Sequence, residues 1–284
     1  MMNEPRIVTK KAPAKVNLFL HILSKRSDDF HELESLISFT EFGDKVTVWE
    51  SENLEFVFEG PMAHELPPLD QNIVYKAVML LKKRYKVSLG AKIIVEKNIP
   101  IAGGLGGGTS DAAAVINCLI DLWNIRVSKK KLIKEFISLG ADFPVCFYGN
   151  AALVKGIGDI CLPLKKNYSY PVLLVNPKKK LSTKLVFSEV DLSHCYKKSI
   201  IKCNFFENFK NYRNDLLPFA NNYVPQIMEI INILLLSSGC ISAKLSGSGP
   251  TCFGIFESVK SLNEASNVFR EKYDWWVMPT YIVG

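Results

Sequence analysis

Histidine is scarce in this sequence, with four in 284 residues, and none of its seven cysteines forms a C-x-x-C pair. Without clustered Cys and His ligands the pattern argues against a zinc site. The cysteines, at 118, 146, 161, 195, 203, 240 and 252, are odd in number and lie mostly among apolar neighbours, so they read as reduced core thiols. No apolar run is long enough to span a bilayer, and the N-terminus lacks the apolar segment of a secretory signal. A cytoplasmic protein with no membrane partner is expected. Also missing are an internal repeat, a low-complexity tail and any RNA- or DNA-binding signature, and the aromatics do not interleave with the basic runs. Nucleic acid is therefore not an expected partner.

Apolar residues make up 48% of the chain and charged residues 22%, enough to fold and bury a core. The length suits one large or two ordinary domains. The net charge of +7 is densest at Lys129-Lys130-Lys131 and Lys178-Lys179-Lys180. Such runs are solvated surface, or they draw in a polyanionic small molecule.

The most informative stretch runs from Lys92 to Leu119. The β-branched run Ile93-Ile94-Val95 predicts a strand. Asn98 to Pro100 break it, and the loop from Ala102 to Ser110 follows with five glycines. Glycine lets several backbone N–H groups point into one concavity. The helix expected to open at Asp111-Ala112-Ala113-Ala114 adds unpaired N–H groups and a positive dipole end. Thr109, Ser110 and Asp111 are all good N-cap residues. Together these features favour a di- or triphosphate. Neither common phosphate loop fits: Thr109 stands where a Walker A loop needs lysine, and also where a Rossmann fingerprint needs its third glycine.

Elsewhere, Ala12 to Ile22 predicts a strand with Lys15, Asn17 and Phe19 on one face and Val16, Leu18 and Leu20 on the other. Gly43-Asp44-Lys45 reads as a turn leading into strand Val46–Trp49, and a hairpin with Leu54–Phe58 is expected. Helices are expected over 72–85 and over 129–139, the latter stopped by Gly140. Asp142 is the only charged residue between Glu135 and Lys155. A carboxylate in such company is functional, or paired, or a helix N-cap with Pro144 in the first turn. Beyond Leu164 the pattern predicts strands over 172–175, 241–245, 252–256 and 276–283 and helices over 184–187, 225–238 and 262–269. Residues 190–213 are polar and poorly patterned. Ser246-Gly247-Ser248-Gly249-Pro250 is a second Gly-rich turn. Alternating strands and helices indicate an α+β or α/β architecture with two domains, 1–160 and 161–284.

Three motifs stand in order: Ala12-Pro13-Ala14-Lys15-Val16-Asn17, Pro100 to Ser110, and Leu245 to Pro250. This set resembles the GHMP kinase superfamily. The version Gly-Leu-Gly-Gly-Gly-Thr-Ser, with Leu-Gly-Ala-Asp-Phe-Pro-Val downstream, is similar to the branch that phosphorylates the 2-hydroxyl of a cytidyl-diphosphate sugar alcohol. The resemblance implies an α+β, two-domain fold with its Gly-rich phosphate loop between a strand and a helix, residues 1–160 binding ATP. It implies that Lys15 and Asp142 are catalytic. Pro100, Ile101, Ala102, Gly103, Gly104, Leu105, Gly106, Gly107, Gly108, Thr109 and Ser110 would bind ATP. Asn17 and His31 would contact substrate, with Phe30 and Phe187 stacking on cytosine. Mg²⁺ would bridge the ATP phosphates, with Ser110 as the candidate protein ligand. Asp29-Phe30-His31 stands where the family usually has Gly-Tyr-His, a change that keeps stacking and removes a phenol contact. Ile101-Ala102 replaces the usual Met-Gly. The small-molecule substrate leaves either a monomer or a homodimer open. A mevalonate- or homoserine-type kinase, or a non-catalytic ATP-binding regulator on the same fold, are the alternatives.

Overall fold

The computed structural model describes residues 6–164, 168–195 and 212–284. Cys203 and most of the poorly patterned stretch 190–213 lie outside the described residues. The chain divides into two compact units, neither a single stretch of sequence. One comprises Met1–Ala14, Gly43–Ile101 and Gly106–Gly149; the other comprises Lys15–Phe42, Ala102–Leu105 and Asn150–Gly284.

Strands β1 (Ile7–Lys25) and β2 (His31–Trp49) contribute residues to both units. The first unit adds β3 (Leu54–Glu59), α1 (Ile73–Tyr85), β4 (Ala91–Glu96), α2 (Gly107–Leu122), α3 (Lys129–Phe136) and α4 (Phe143–Tyr148). Here β4 runs antiparallel to β2, with Val46 opposite Val95, and parallel to β3, with Phe56 opposite Ile93. The expected hairpin of 46–49 with 54–58 therefore does not form. Ala91, Ile93 and Val95 of β4 are completely buried, so this more apolar strand takes the inner position and the half-buried β3 moves outside it. Gly90 makes room for the crossing: a Cβ there would stand 2.5 Å from the carbonyl oxygens of Ser51 and Glu52.

The expected turn at Gly43-Asp44-Lys45 is also corrected, because β2 passes straight through it. A Cβ on Gly43 would stand 2.5 Å from Ala12 O, so glycine permits a close strand approach rather than a reversal. Asp44 is buried and accepts the backbone N–H groups of Asn98 and Ile99.

Helix α1 is capped by Asn72, whose Oδ1 accepts from Val74 N at 2.8 Å. It buries Val74, Ala77, Val78 and Leu81 and packs against α2. Ala112, Ala113, Val115, Ile116, Cys118 and Leu119 make α2 apolar on nearly every side, as an interior helix should be.

The second unit adds β5 (Ala152–Gly156), β6 (Ile160–Pro163), β7 (Ser169–Asn176), α5 (Thr183–Ser188), α6 (Leu217–Tyr223), α7 (Gln226–Leu236), β8 (Cys240–Leu245), β9 (Cys252–Phe256), α8 (Val259–Lys272) and β10 (Trp276–Val283). Within it β2 pairs with β1, β5 and β10; β10 continues to β7, then β9, then β8. Helix α7 packs on β8 and β9, and α8 on β7 and β10. Residues 14–22 of β1 are nearly all buried, so both of its faces are covered. Among the described residues Cys118, Cys146, Cys195 and Cys252 are buried, and no disulfide joins any two of the six cysteines. No helix among the described residues is long and apolar enough to cross a membrane.

Candidate active site

In the second unit, the strand alternation of β1 puts Lys15 and Asn17 on one face, and the two side chains meet. The Lys15 ammonium donates to Asn17 Oδ1 at 2.5 Å, and both residues are buried. Lys15 N also donates to Leu105 O at 2.9 Å, fixing this strand to the end of the Gly-rich loop. Ser246 Oγ accepts from Asn17 N at 3.3 Å and donates to Gly104 O at 3.0 Å. Thr251 N donates to Gly103 O at 3.1 Å. The turn Ser246–Pro250 thus lies against Gly103–Leu105. Gly247 shows how tight this is: with φ +56°, its Cβ would stand 3.1 Å from Lys15 Nζ and 3.2 Å from Asn17 Oδ1.

The same unit carries His31, buried at the start of β2, with its ring centroid 5.6 Å from that of Phe187 on α5. Burial, with the Lys25 charge nearby, pushes the imidazole below its ordinary pKa against the opposing pull of Asp29. His31 is thus held neutral at pH 7, able to accept at one ring nitrogen and donate at the other. Phe30 is 54% exposed on the same turn.

In the first unit, α2 begins four residues before the expected Asp111. Gly106 is the N-cap, left-handed at φ 65°, and no side chain caps the helix. Ser110 N already bonds Gly106 O at 2.9 Å, so Gly107, Gly108 and Thr109 carry the N–H groups that lack an intrahelical partner. These residues are only partly buried, leaving a positive helix end for an anion. Thr109 and Ser110 sit inside the first turn instead of capping it, and Ser110 Oγ donates to Pro13 O at 2.7 Å.

Asp142 holds the N-cap position of α4, with Pro144 in the first turn, but its side chain makes no capping hydrogen bond. The carboxylate folds back over Gly140 instead. A point at the missing Cβ of Gly140 is 3.0 Å from Asp142 Oδ1 and 3.5 Å from Thr109 Oγ1. The Asp142 carboxylate and the uncapped start of α2 therefore lie close together.

A buried cluster that sequence reasoning missed supports this region. Lys97, at the end of β4, pairs with both Asp44 of β2 and Asp111 of α2, and all three are buried. The only signal was a lysine closing an apolar strand. Burial opposes the Lys97 charge, but the two carboxylates overcome it and raise its pKa. Asp44 accepts two backbone N–H groups besides the Lys97 ammonium. Asp111 Oδ1 has no hydrogen-bond partner, and burial, opposed by the Lys97 charge, lifts this carboxyl well above the usual range.

In the first unit, an uncapped helix start able to receive an anion, with a carboxylate beside it, is what a phosphotransferase class uses, and comparison with known proteins agrees. Residues 72–150 match the GHMP kinases N terminal domain and residues 205–274 match the GHMP kinases C terminal domain. A 4-diphosphocytidyl-2-C-methyl-D-erythritol kinase of Chelativorans sp. is 36% identical over 272 residues, 93% of this chain and 92% of the relative. One of Parvibaculum lavamentivorans is 34% identical, covering 95% of this chain and 96% of the relative. The crystal structure of a 4-(cytidine 5'-diphospho)-2C-methyl-D-erythritol kinase superposes with a TM-score of 0.82 at 28% identity, covering 98% of this chain and 100% of that one. A homoserine kinase from Cytophaga hutchinsonii, 14% identical with a TM-score of 0.70 over 100% of this chain and 97% of its own, shares the fold. The chain belongs to the GHMP kinases and, within them, to the 4-diphosphocytidyl-2-C-methyl-D-erythritol kinase family.

Proposed function

We propose that this chain transfers the γ-phosphoryl group of ATP to the 2-hydroxyl of 4-diphosphocytidyl-2-C-methyl-D-erythritol, a step of non-mevalonate isoprenoid precursor synthesis. The observation that carries the reading is the uncapped start of α2 with the Asp142 carboxylate beside Thr109. Phosphoryl transfer asks a protein for in-line positioning and charge stabilisation more than for covalent chemistry. Pro100 to Ser110 hold the phosphates with backbone N–H groups. Asp142 accepts the proton of the substrate hydroxyl as its oxygen bonds to phosphorus and the bond to the ADP oxygen breaks. Lys15 orients that hydroxyl and offsets the charge that develops on the transferring group. Asn17 contacts the sugar alcohol. His31 hydrogen-bonds cytosine, and Phe30 and Phe187 stack on it.

Mg²⁺ supplies charge neutralisation on the phosphates when bound. An ion of this kind is held chiefly by nucleotide phosphates with few protein ligands. Ser110 Oγ, whose proton goes to Pro13 O, retains lone pairs for it. In this reading residues 1–160 carry ATP binding and 161–284 the C-terminal GHMP-type domain, and the enzyme works in the cytoplasm on a soluble small molecule.

ADP release, measured with and without the cytidyl-diphosphate substrate, tests the proposal. Release that depends on that substrate is expected. Release that instead follows mevalonate or homoserine would reassign the acceptor, and no release with any of them would leave a nucleotide-binding regulator.

A further inference from the structure

Lys15 and Asn17 touch through an amide that has two chemically different ends, and only one of them suits an ammonium. What fixes that choice is the environment of the other end. Asn17 Nδ2 lies 2.7 Å from Ser35 Oγ of β2, and Ser35 Oγ lies 2.6 Å from Phe19 O. Asn17 and Ser35 are both buried, so water does not arbitrate.

The proton count runs one way along this chain. Phe19 O is a carbonyl and can only accept, so it takes the single proton of the Ser35 hydroxyl. Ser35 Oγ is then left with lone pairs alone toward Asn17. A carbonyl oxygen facing it would set acceptor against acceptor, so the amide must present its NH₂ to Ser35. Asn17 Oδ1 is thereby turned to Lys15 Nζ, at 2.5 Å. The reversed amide would press two donors together at the ammonium. The backbone offers no escape, because Asn17 N is anchored on Ser246 Oγ, which is anchored in turn on Gly104 O. The remaining freedom is rotation of the amide about its last bond, and Ser35 removes it.

We infer that Ser35 is a positioning residue for the Lys15 ammonium, acting through the Asn17 amide. This rests on the reading of Lys15 as the catalytic cation. Ser35 touches no reacting atom; its hydroxyl sets which end of Asn17 meets the lysine, and so where the ammonium points when the substrate hydroxyl arrives.

The test is a kinetic cycle on the full chain, with thermal unfolding of each variant as the control for fold. Ser35→Ala removes the acceptor, and kcat is expected to fall about tenfold while KM for ATP is unchanged. Ser35→Cys, close in volume but a weak acceptor, gives the same result and serves if the alanine variant does not fold. The discriminating step is to repeat Ser35→Ala in the Asn17→Asp background. Either end of a carboxylate presents an oxygen to the ammonium, and removing the hydroxyl relieves the oxygen left facing it, so in that background Ser35→Ala should not lower kcat. An equal loss in both backgrounds would mean that Ser35 is merely packing, and an unchanged kcat for both Ser35→Ala and Ser35→Cys would also overturn the inference. Lys15→Met separates the two levels. If it turns over like the parent, the reading of Lys15 falls and the inference with it. If it is inactive while both Ser35 variants stay fully active, only the positioning role falls.

Discussion

Gly104 and Ser246 meet backbone to backbone: a Cβ on Gly104 would overlap the Ser246 carbonyl oxygen and stand 2.8 Å from Gly249 O, and Gly104 holds φ at +78°. No side-chain rotation relieves a collision with backbone, so Gly104→Ala should destabilise by about 2 kcal/mol or more, strain and overlap together. It should also raise KM for ATP, since the loop must shift. Gly149 is the control. It too has a positive φ, +66°, but nothing lies within 4 Å of its Cβ position. Gly149→Ala should cost only the conformational part, about 1 kcal/mol, and leave KM for ATP alone. Thermal unfolding and ATP titration of the two variants side by side check this.

The Lys97 cluster should respond unequally to its members. Lys97→Met leaves two carboxyl groups buried without their cation and should cost about 3–5 kcal/mol. Asp111→Asn keeps an acceptor for the ammonium and should cost far less. The two also differ with pH. Asp111 keeps its proton to higher pH in the folded protein than in the unfolded chain, chiefly because it is buried. That linkage favours the fold below the ordinary aspartate range and is lost as pH rises through the elevated pKa. Asparagine has no proton to lose. Unfolding midpoints taken from about pH 4 to about pH 8 should therefore shift in favour of Asp111→Asn, relative to the parent, as pH climbs. A constant gap would count against a raised Asp111 pKa.

The same cluster shows where sequence stops being readable. The strand–loop–helix unit was legible because its signals are local: a β-branched run, a block of glycines, then alanines. Its helix start was misplaced by four residues because Thr109, Ser110 and Asp111 all have capping propensity. The actual cap is a left-handed glycine, and Asp111 is claimed by a lysine 14 positions away. Gly43-Asp44-Lys45 has turn composition, yet its partners Ala12 and Lys97 lie far along the chain and hold it extended. That Lys15 and Asn17 share a face is legible because strand residues alternate with a period of two. Ser35 was invisible, since its bond to Asn17 spans 18 positions and depends on strand register. Pattern reveals which residues share a face; it does not reveal what the neighbouring strand places opposite them.

His31 gives a pH signature specific to one substrate. Its pKa lies below the ordinary 6.5, with burial the leading cause, so the neutral ring is the form present at pH 7. Protonation on acidification would convert its acceptor nitrogen into a donor and add charge against a buried contact. Because the folded-state pKa is depressed, the stability contribution, and with it the proposed hydrogen bond to cytosine, holds above the ordinary value and is lost as pH falls through the lowered one. KM for the cytidyl-diphosphate substrate should rise in that acid range while KM for ATP does not follow. Phe187→Ala, which removes the ring 5.6 Å from His31, should weaken the same substrate by about 1–3 kcal/mol at neutral pH. Parallel rises in both KM values would point to a general acid effect instead.

Asp142 is tested most sharply by removing its basicity without its shape. In Asp142→Asn the side chain still fits over Gly140 beside Thr109, but an amide cannot take the hydroxyl proton. If Asp142 is the general base, kcat should fall by about 10²–10⁴-fold. The Kd for ATP should hold if, as proposed, the phosphates are bound by backbone N–H groups at the start of α2, which the substitution leaves in place. ATP affinity read by calorimetry and turnover read by ADP release separate the two effects. A variant that binds ATP and turns over near the parental rate would remove Asp142 from the base role. One that loses both would make it a structural residue of the α4 start. Only the split, binding kept and chemistry lost, is what a carboxylate beside an uncapped helix start requires of a phosphotransferase.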